Sequence, residues 1–109
     1  MHRLPKEIHD KLHSLAVEAY ERELQPVLNA LSQQCFAWNE KHITNAEFSS
    51  AVHDLHQGQL REIFRFYKGL DSDVLVARAF AMGLIKKDEI PSTIFELIQP
   101  KIELFKEAE

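Results

Sequence analysis

Apolar residues recur at intervals of three and four along most of this chain, the spacing that places them on one face of an α-helix. The first stripe begins at Leu4, with Pro5 suited to a first helical turn, and continues to Ala19. Gln25-Pro26 interrupts the pattern and predicts either a kink or a new helix. The apolar positions beyond this interruption are Val27, Leu28, Leu31, Cys35 and Trp38.

Thr44 begins the third predicted helix, because Glu47 follows it at the spacing of a capping box. This helix extends to Lys68-Gly69, where Gly69 is expected to be a left-handed C-terminal cap. Its apolar positions rotate around the helix axis near Gly58, so we expect a bend at that glycine. These positions are Phe48, Val52, Leu55, Leu60, Ile63, Phe64 and Tyr67.

The segment after Asp71 is apolar on every side of a helix, a pattern typical of a helix that is buried on all faces. We therefore place this fourth helix, about residues 72–84, at the centre of the fold. Asp88 and Pro91 suit the start of a last helix, which Pro100 must kink or divide. The sequence predicts an all-α protein with a single domain, residues 1–109, folded as a compact bundle of five to six helices with short connections.

Composition and charge limit the classes of partner. A net charge of −4 argues against non-specific binding to phosphate backbones, and no apolar stretch is long enough to span a bilayer. Cys35 is the single cysteine and cannot form an intramolecular disulfide, and the first residues lack the apolar run of a secretory signal. We therefore predict a cytoplasmic protein with no membrane partner.

Two histidine pairs suggest a possible metal site. His9 and His13 are four residues apart on the first helix, and His53 and His56 are three apart on the third. If the pairs faced each other, they could supply four nitrogen ligands to a transition metal such as zinc. The sequence contains no His-Glu-x-x-His motif. Its absence favours the other interpretation, in which the histidines are polar residues beside the apolar stripes of their helices. We predict no cofactor, and keep a His-ligated metal protein or enzyme as the alternative.

Basic residues near the end of the third helix suggest a second alternative. Arg61, Arg65 and Lys68 are interleaved with aromatic residues in REIFRFYKG, a combination that can bind single-stranded nucleic acid by charge and stacking. Basic residues are also favoured at a helix C-terminus, and Glu62 dilutes the positive patch. Nucleic acid is therefore not the partner that we predict first.

The same segment predicts contact with another protein, because Phe64, Phe66 and Tyr67 cannot all face one neighbouring helix. Arg78 is the single charge in VLVARAFAM. If it is buried, it must meet a core carboxylate, a carboxylate of another subunit or an anionic ligand; otherwise it extends to solvent at the bundle edge. We predict a protein-interaction or regulatory module that forms a homodimer through the third and fourth helices, with Phe64, Phe66, Tyr67 and Arg78 in the interface. A different protein partner is also compatible with these residues.

Catalytic motifs do not occur in the sequence. It contains no Gly-rich phosphate loop and no nucleophile elbow. A site assembled from several helices would leave no contiguous motif. We predict a non-enzymatic role and no catalytic residues.

Overall fold

The computed structural model describes residues 5–107, and most of these residues are helical. The α-helices are α1 (Lys6–Asn39), α2 (Asn45–Gln57), α3 (Gln59–Gly69), α4 (Ser72–Met82) and α5 (Ser92–Glu107), and a 3₁₀-helix occupies Lys87–Glu89. No strand occurs among the described residues, which confirms the all-α class. Leu4, where the first stripe begins, lies outside the described residues.

Helix α1 is one continuous helix of 34 residues, and no new helix begins at Pro26. A proline removes one backbone hydrogen bond from a helix, and α1 continues through Pro26 with the buried Val27 directly after it. At about 1.5 Å per residue, α1 is about 51 Å long. This length accounts for most of the 55 Å longest dimension of the molecule.

The length of α1 makes the molecule elongated. The radius of gyration is 17.5 Å, whereas a compact chain of this size has about 13 Å. The prediction of a compact bundle is therefore wrong. The pattern of apolar residues could not reveal this, because it shows which face of a helix is covered and not how far the helix extends beyond its neighbours.

The core lies where α4 packs against both the N-terminal half of α1 and helix α5. Neighbours on two sides explain why α4 is apolar all round.

Gly83, with φ of 83°, is the left-handed cap of α4, whereas Gly69 has no positive φ and is the last residue of α3. Pro100 lies inside α5 without dividing it. The buried residues of the core are Leu12, Leu15, Ala16, Ala19, Leu75, Val76, Ala77, Ala79, Ile85, Ile90, Ile94, Ile98 and Ile102.

Beyond this core, the C-terminal half of α1 carries little besides α2. We call residues 24–39 of α1 together with α2 the arm. The predicted capping box is confirmed: the Glu47 backbone N–H donates to Thr44 Oγ1 (3.0 Å), and the Thr44 N–H donates to Glu47 Oε1 (2.9 Å). Gly58 ends α2, so the expected bend is a break between α2 and α3. None of the described helices is long and apolar enough to cross a membrane.

Arg22 fastens the connection between α4 and α5 to α1. Its Nη1 donates to the Leu84 carbonyl (2.9 Å) and its Nη2 to Glu89 Oε1 (2.6 Å). The hydrogen bond from Arg22, and a further one from the backbone of Lys86, lower the pKa of Glu89 to about 2. This connection is therefore held by charge as well as by the buried Ile85 and Ile90.

Candidate interaction surface

The arm contains a long uncharged stretch of exposed helix. The 16 residues from Leu24 to Asn39 include no Asp, Glu, Lys or Arg, although 28% of the chain is charged. Burial does not explain this, because Val27 is the single buried residue of the stretch. Depletion of charge is typical of the centre of a protein–protein interface. This depletion is visible in the sequence and is a signal of an interaction surface that the apolar periodicity alone does not give.

Apolar side chains are exposed along the arm. Leu28 is 43% exposed and Val52 is 40% exposed, and Phe64 of α3, at the base of the arm, is 51% exposed. Near this base lies an open groove of about 600 Å³, whose walls include Leu24, Leu28 and Phe64 and whose rim carries Arg61. Apolar side chains are therefore exposed both at the base of the arm and on α2.

The outer end of the arm is aromatic. The Trp38 ring stacks on Phe48 with 5.0 Å between ring centroids, and Trp38 Nε1 donates to Asn45 Oδ1 (2.8 Å). These contacts leave Trp38 39% exposed, and Phe36 beside it is 62% exposed. Since α2 begins beside Trp38 and ends beside Leu28, the two helices of the arm are antiparallel.

A charged cluster joins α1, α3 and α4 where the arm meets the core. Arg78 donates from Nη1 to Glu23 Oε1 (2.7 Å) and from Nη2 to Oε2 (2.9 Å), and the Tyr67 hydroxyl donates to Oε1 (2.8 Å). The Arg78 guanidinium also lies 4.4 Å from the centroid of the Phe66 ring. We call Glu23, Tyr67, Arg78 and Phe66 the brace.

The electrostatics of the brace favour a fixed ion pair with a neutral phenol. Burial opposes ionisation of Glu23, but the hydrogen bonds from Arg78 and Tyr67 outweigh it and lower the pKa of Glu23. Burial and the bond to Glu23 raise the pKa of Tyr67, and the bond to Glu23 raises that of Arg78. The brace is thus a structural connection, with each group held in one protonation state near neutral pH.

The brace identifies the partner of Arg78. Among the alternatives left open by the sequence, the structure selects a carboxylate in the same chain. Glu23 was missed because 55 residues separate it from Arg78. The signal that could have suggested such a residue was the need of an arginine in an apolar helix for an acidic partner.

The predicted interface residues fall into two groups. Phe64 and Phe66 are 51% and 43% exposed, and both are available to a partner. Tyr67 and Arg78 are partly buried in the brace, with their hydrogen bonds satisfied within the chain. The apolar faces of α4 are covered by α1 and α5. The apolar sequence of α4 is therefore explained within one chain and does not require contact with a second subunit.

The four histidines do not converge as the metal hypothesis requires. His9, His13, His53 and His56 are all exposed, and no group of three or more His, Cys, Asp or Glu residues among residues 5–107 is placed to hold a metal ion. His56 lies beside Leu24, which is about 16 Å further along α1 than His13 at the helical rise. The two pairs are therefore on different parts of a long helix assembly.

The basic residues of α3 lie at the surface. Arg61 Nη1 donates to Gln57 Oε1 (3.2 Å), and Lys68 Nζ is 5.2 Å from the centroid of the Phe64 ring. Arg65 is exposed and shares a shallow hollow with Glu62, which offsets its charge. Binding of nucleic acid by this segment stays the second alternative, and the structure does not test it.

Together these features define an all-α protein with a projecting helical arm that exposes several large apolar side chains and carries no Asp, Glu, Lys or Arg along its α1 part. Comparison of the chain with protein-family models, with curated proteins and with solved structures gives no match.

Proposed function

We propose that the protein is a cytoplasmic protein-interaction or regulatory module that acts as a homodimer, with the arm as its contact surface. The observation that carries this proposal is the exposed, charge-free stretch from Leu24 to Asn39 beside a helix, α2, that has no buried residue. The cytoplasmic part of the proposal rests on Cys35 being the single cysteine of the chain.

Helix α2 has little support within one chain. None of its 13 residues, Asn45–Gln57, is buried, and an isolated helix of this length is marginal in water. Most helices in proteins are stabilised by the packing of an apolar face. Phe48, Val52 and Leu55 form such a face, with Val52 40% exposed. A partner covering the arm would bury this face.

A second copy of the chain suits the arm for an electrostatic reason. Each chain carries a net charge of −4, so self-association brings like charges together. Contact through residues 24–39 keeps charged side chains of α1 out of the centre of the interface. Closed two-fold dimers are also the commonest assemblies of soluble proteins.

Sedimentation equilibrium across a range of protein concentrations tests the proposal. We expect a mass twice that of the 12.7 kDa chain, with dissociation on dilution. Leu28→Glu, which puts a charge into the arm, should give a monomer. Leu97→Glu is the matched control, because Leu97 is similarly exposed (39%) but lies on α5. A wild-type monomer at every concentration, or equal dissociation of both variants, would contradict the proposal.

Amide hydrogen exchange gives a second measure of the same surface. In a monomer α2 should exchange rapidly, because it lacks buried contacts. In a dimer formed by the arm, protection of α2 should rise with protein concentration while that of α4 stays constant. Protection of α2 that does not depend on concentration would count against the arm as the contact surface.

A further inference from the structure

We infer that the two arms pair antiparallel about a two-fold axis near Leu31, so that two α1–α2 hairpins form one four-helix bundle. The inference rests on the proposed homodimer and specifies its geometry. Its basis is the apolar stripe of α1 within the arm, which consists of Leu24, Val27, Leu28, Leu31, Cys35 and Trp38.

The burial of this stripe is that of core positions in half of a bundle. Val27 is already buried within the chain and Leu31 and Cys35 are partly covered, whereas Leu28 and Trp38 on the same stripe are 43% and 39% exposed. In a four-helix bundle the core positions of each hairpin face the bundle centre and are covered by the other hairpin. The stripe is therefore only partly covered within one chain, and its exposed side chains, Leu28 and Trp38, are left for a second hairpin to cover.

The stripe is self-complementary when it is reversed about Leu31. An antiparallel two-fold at this position places Leu24 opposite Trp38, Val27 opposite Cys35 and Leu31 opposite its own copy. Residues 24–38, which include no Asp, Glu, Lys or Arg, then face the same residues of the other chain, and Asn39 falls opposite Glu23. One mismatch occurs, in which Leu28 lies opposite Gln34.

Registers shifted by one helical turn in either direction are less favourable. An axis one turn nearer the N-terminus, at Val27, places Leu31 opposite Glu23, which is already bound to Arg78. An axis one turn nearer the C-terminus, at Cys35, places Leu31 opposite Asn39 and Leu28 opposite His42. Both alternatives put polar or charged groups against apolar ones, at an unfavourable cost of desolvation.

The shape of the molecule favours antiparallel rather than parallel arms. The wide part of the molecule is the core of α1, α4 and α5, which lies at the N-terminal end of α1. Antiparallel arms place the two cores at opposite ends of the dimer. Parallel arms would bring both cores to the same end, where they would compete for one space.

The size of the contact is adequate. Sixteen helical residues are about 24 Å long, and two helices packed 8–10 Å apart present a face about 20 Å wide. Such a face covers about 500 Å² on each copy, or roughly 1,000 Å² in total, which is the minimum for a biological interface and matches a weak dimer that dissociates on dilution. Phe64 at the base of the arm is available to extend it.

Cysteine cross-linking tests the register in a Cys35→Ala background. A disulfide requires the two Cα atoms to lie within about 7 Å, a condition that residues at an antiparallel axis meet. We expect Leu31→Cys to give a cross-linked dimer as the main product under mild oxidation. Gln33→Cys should lack this product, since Gln33 is exposed on the opposite side of the helix. Native Cys35 should also cross-link poorly, because its copy lies about 12 Å away along the axis.

A distance measurement tests the same register in a variant that keeps Leu31, so that a folding defect of the Leu31→Cys variant does not affect the result. Spin labels at the exposed position Asn39, introduced as Asn39→Cys with Cys35→Ala, should be separated by about 24 Å along an antiparallel pair. Parallel arms would bring these labels to the interhelical distance of about 10 Å. A dimeric mass without the Leu31→Cys cross-link, or with the short distance, would overturn the register and leave the homodimer proposal standing. A monomer by sedimentation would overturn both.

Discussion

The brace should make the protein much more sensitive to loss of Glu23 than to loss of the whole ion pair. Glu23→Leu removes the carboxylate that accepts both hydrogen bonds from Arg78, whose side chain is 13% exposed. The guanidinium stays charged, because arginine does not deprotonate in proteins. Glu23→Leu combined with Arg78→Met replaces the pair by apolar side chains and leaves no unpaired charge.

The magnitudes follow from these contacts. Removing one partner of a buried pair costs about 3–5 kcal/mol. Since Arg78 keeps its contact with the Phe66 ring and some access to water, we expect about 3 kcal/mol for Glu23→Leu, at the low end of that range. At roughly 4 °C per kcal/mol, the melting temperature should fall by about 12 °C. The double variant should lose about 1 kcal/mol, for the hydrogen bond from the Tyr67 hydroxyl.

The assay is urea unfolding followed by far-ultraviolet circular dichroism, at one protein concentration, because association would shift the apparent stability. Arg78→Met alone completes the double-mutant cycle and separates the coupling between the two charges from their individual effects. If the double variant were as unstable as Glu23→Leu alone, the unpaired charge would not be the cause of the loss, and our account of the brace would be refuted.

Three further predictions concern acid, a helix cap and a glycine. Folding lowers the pKa values of Glu23 and Glu89, so the stability that these carboxylates contribute is complete above about pH 4.5. This stability is lost as the pH falls through their folded-state pKa values, and urea unfolding from about pH 5 to pH 2.5 should show the loss. Thr44→Ala should cost about 1 kcal/mol of helix stability, seen as faster amide exchange confined to α2; unchanged exchange would contradict the role of the cap. Gly83→Ala should destabilise by about 1 kcal/mol because its φ is 83°, whereas Gly69→Ala, within a helix and with open space around it, should be neutral or stabilising in the same unfolding assay.

The brace also has a consequence for the arm. It ties α3 and α4 to α1 at Glu23, directly before the uncharged stretch begins at Leu24. The arm therefore projects from a rigid base, and its surface is held in one orientation relative to the core. A fixed orientation reduces the entropy lost when two surfaces associate, and so favours binding.

The sequence by itself determined which segments are helical and which of their faces are apolar. Helical periodicity and caps are local properties, so Thr44 and Glu47 could be assigned as a capping box from their spacing alone. The composition of residues 24–39 was likewise fixed in the sequence, as was the need of Arg78 for a partner.

The tertiary structure decided which faces meet. It placed Glu23 beside Arg78, covered α4 from two sides, kept the histidine pairs apart and left the arm exposed. An apolar stripe shows that a helix face is to be covered but does not identify the neighbour, because burial of apolar surface is non-directional. The length of α1 beyond its core, and therefore the exposure of its uncharged half, depends on where the other helices pack along it, which no local pattern specifies.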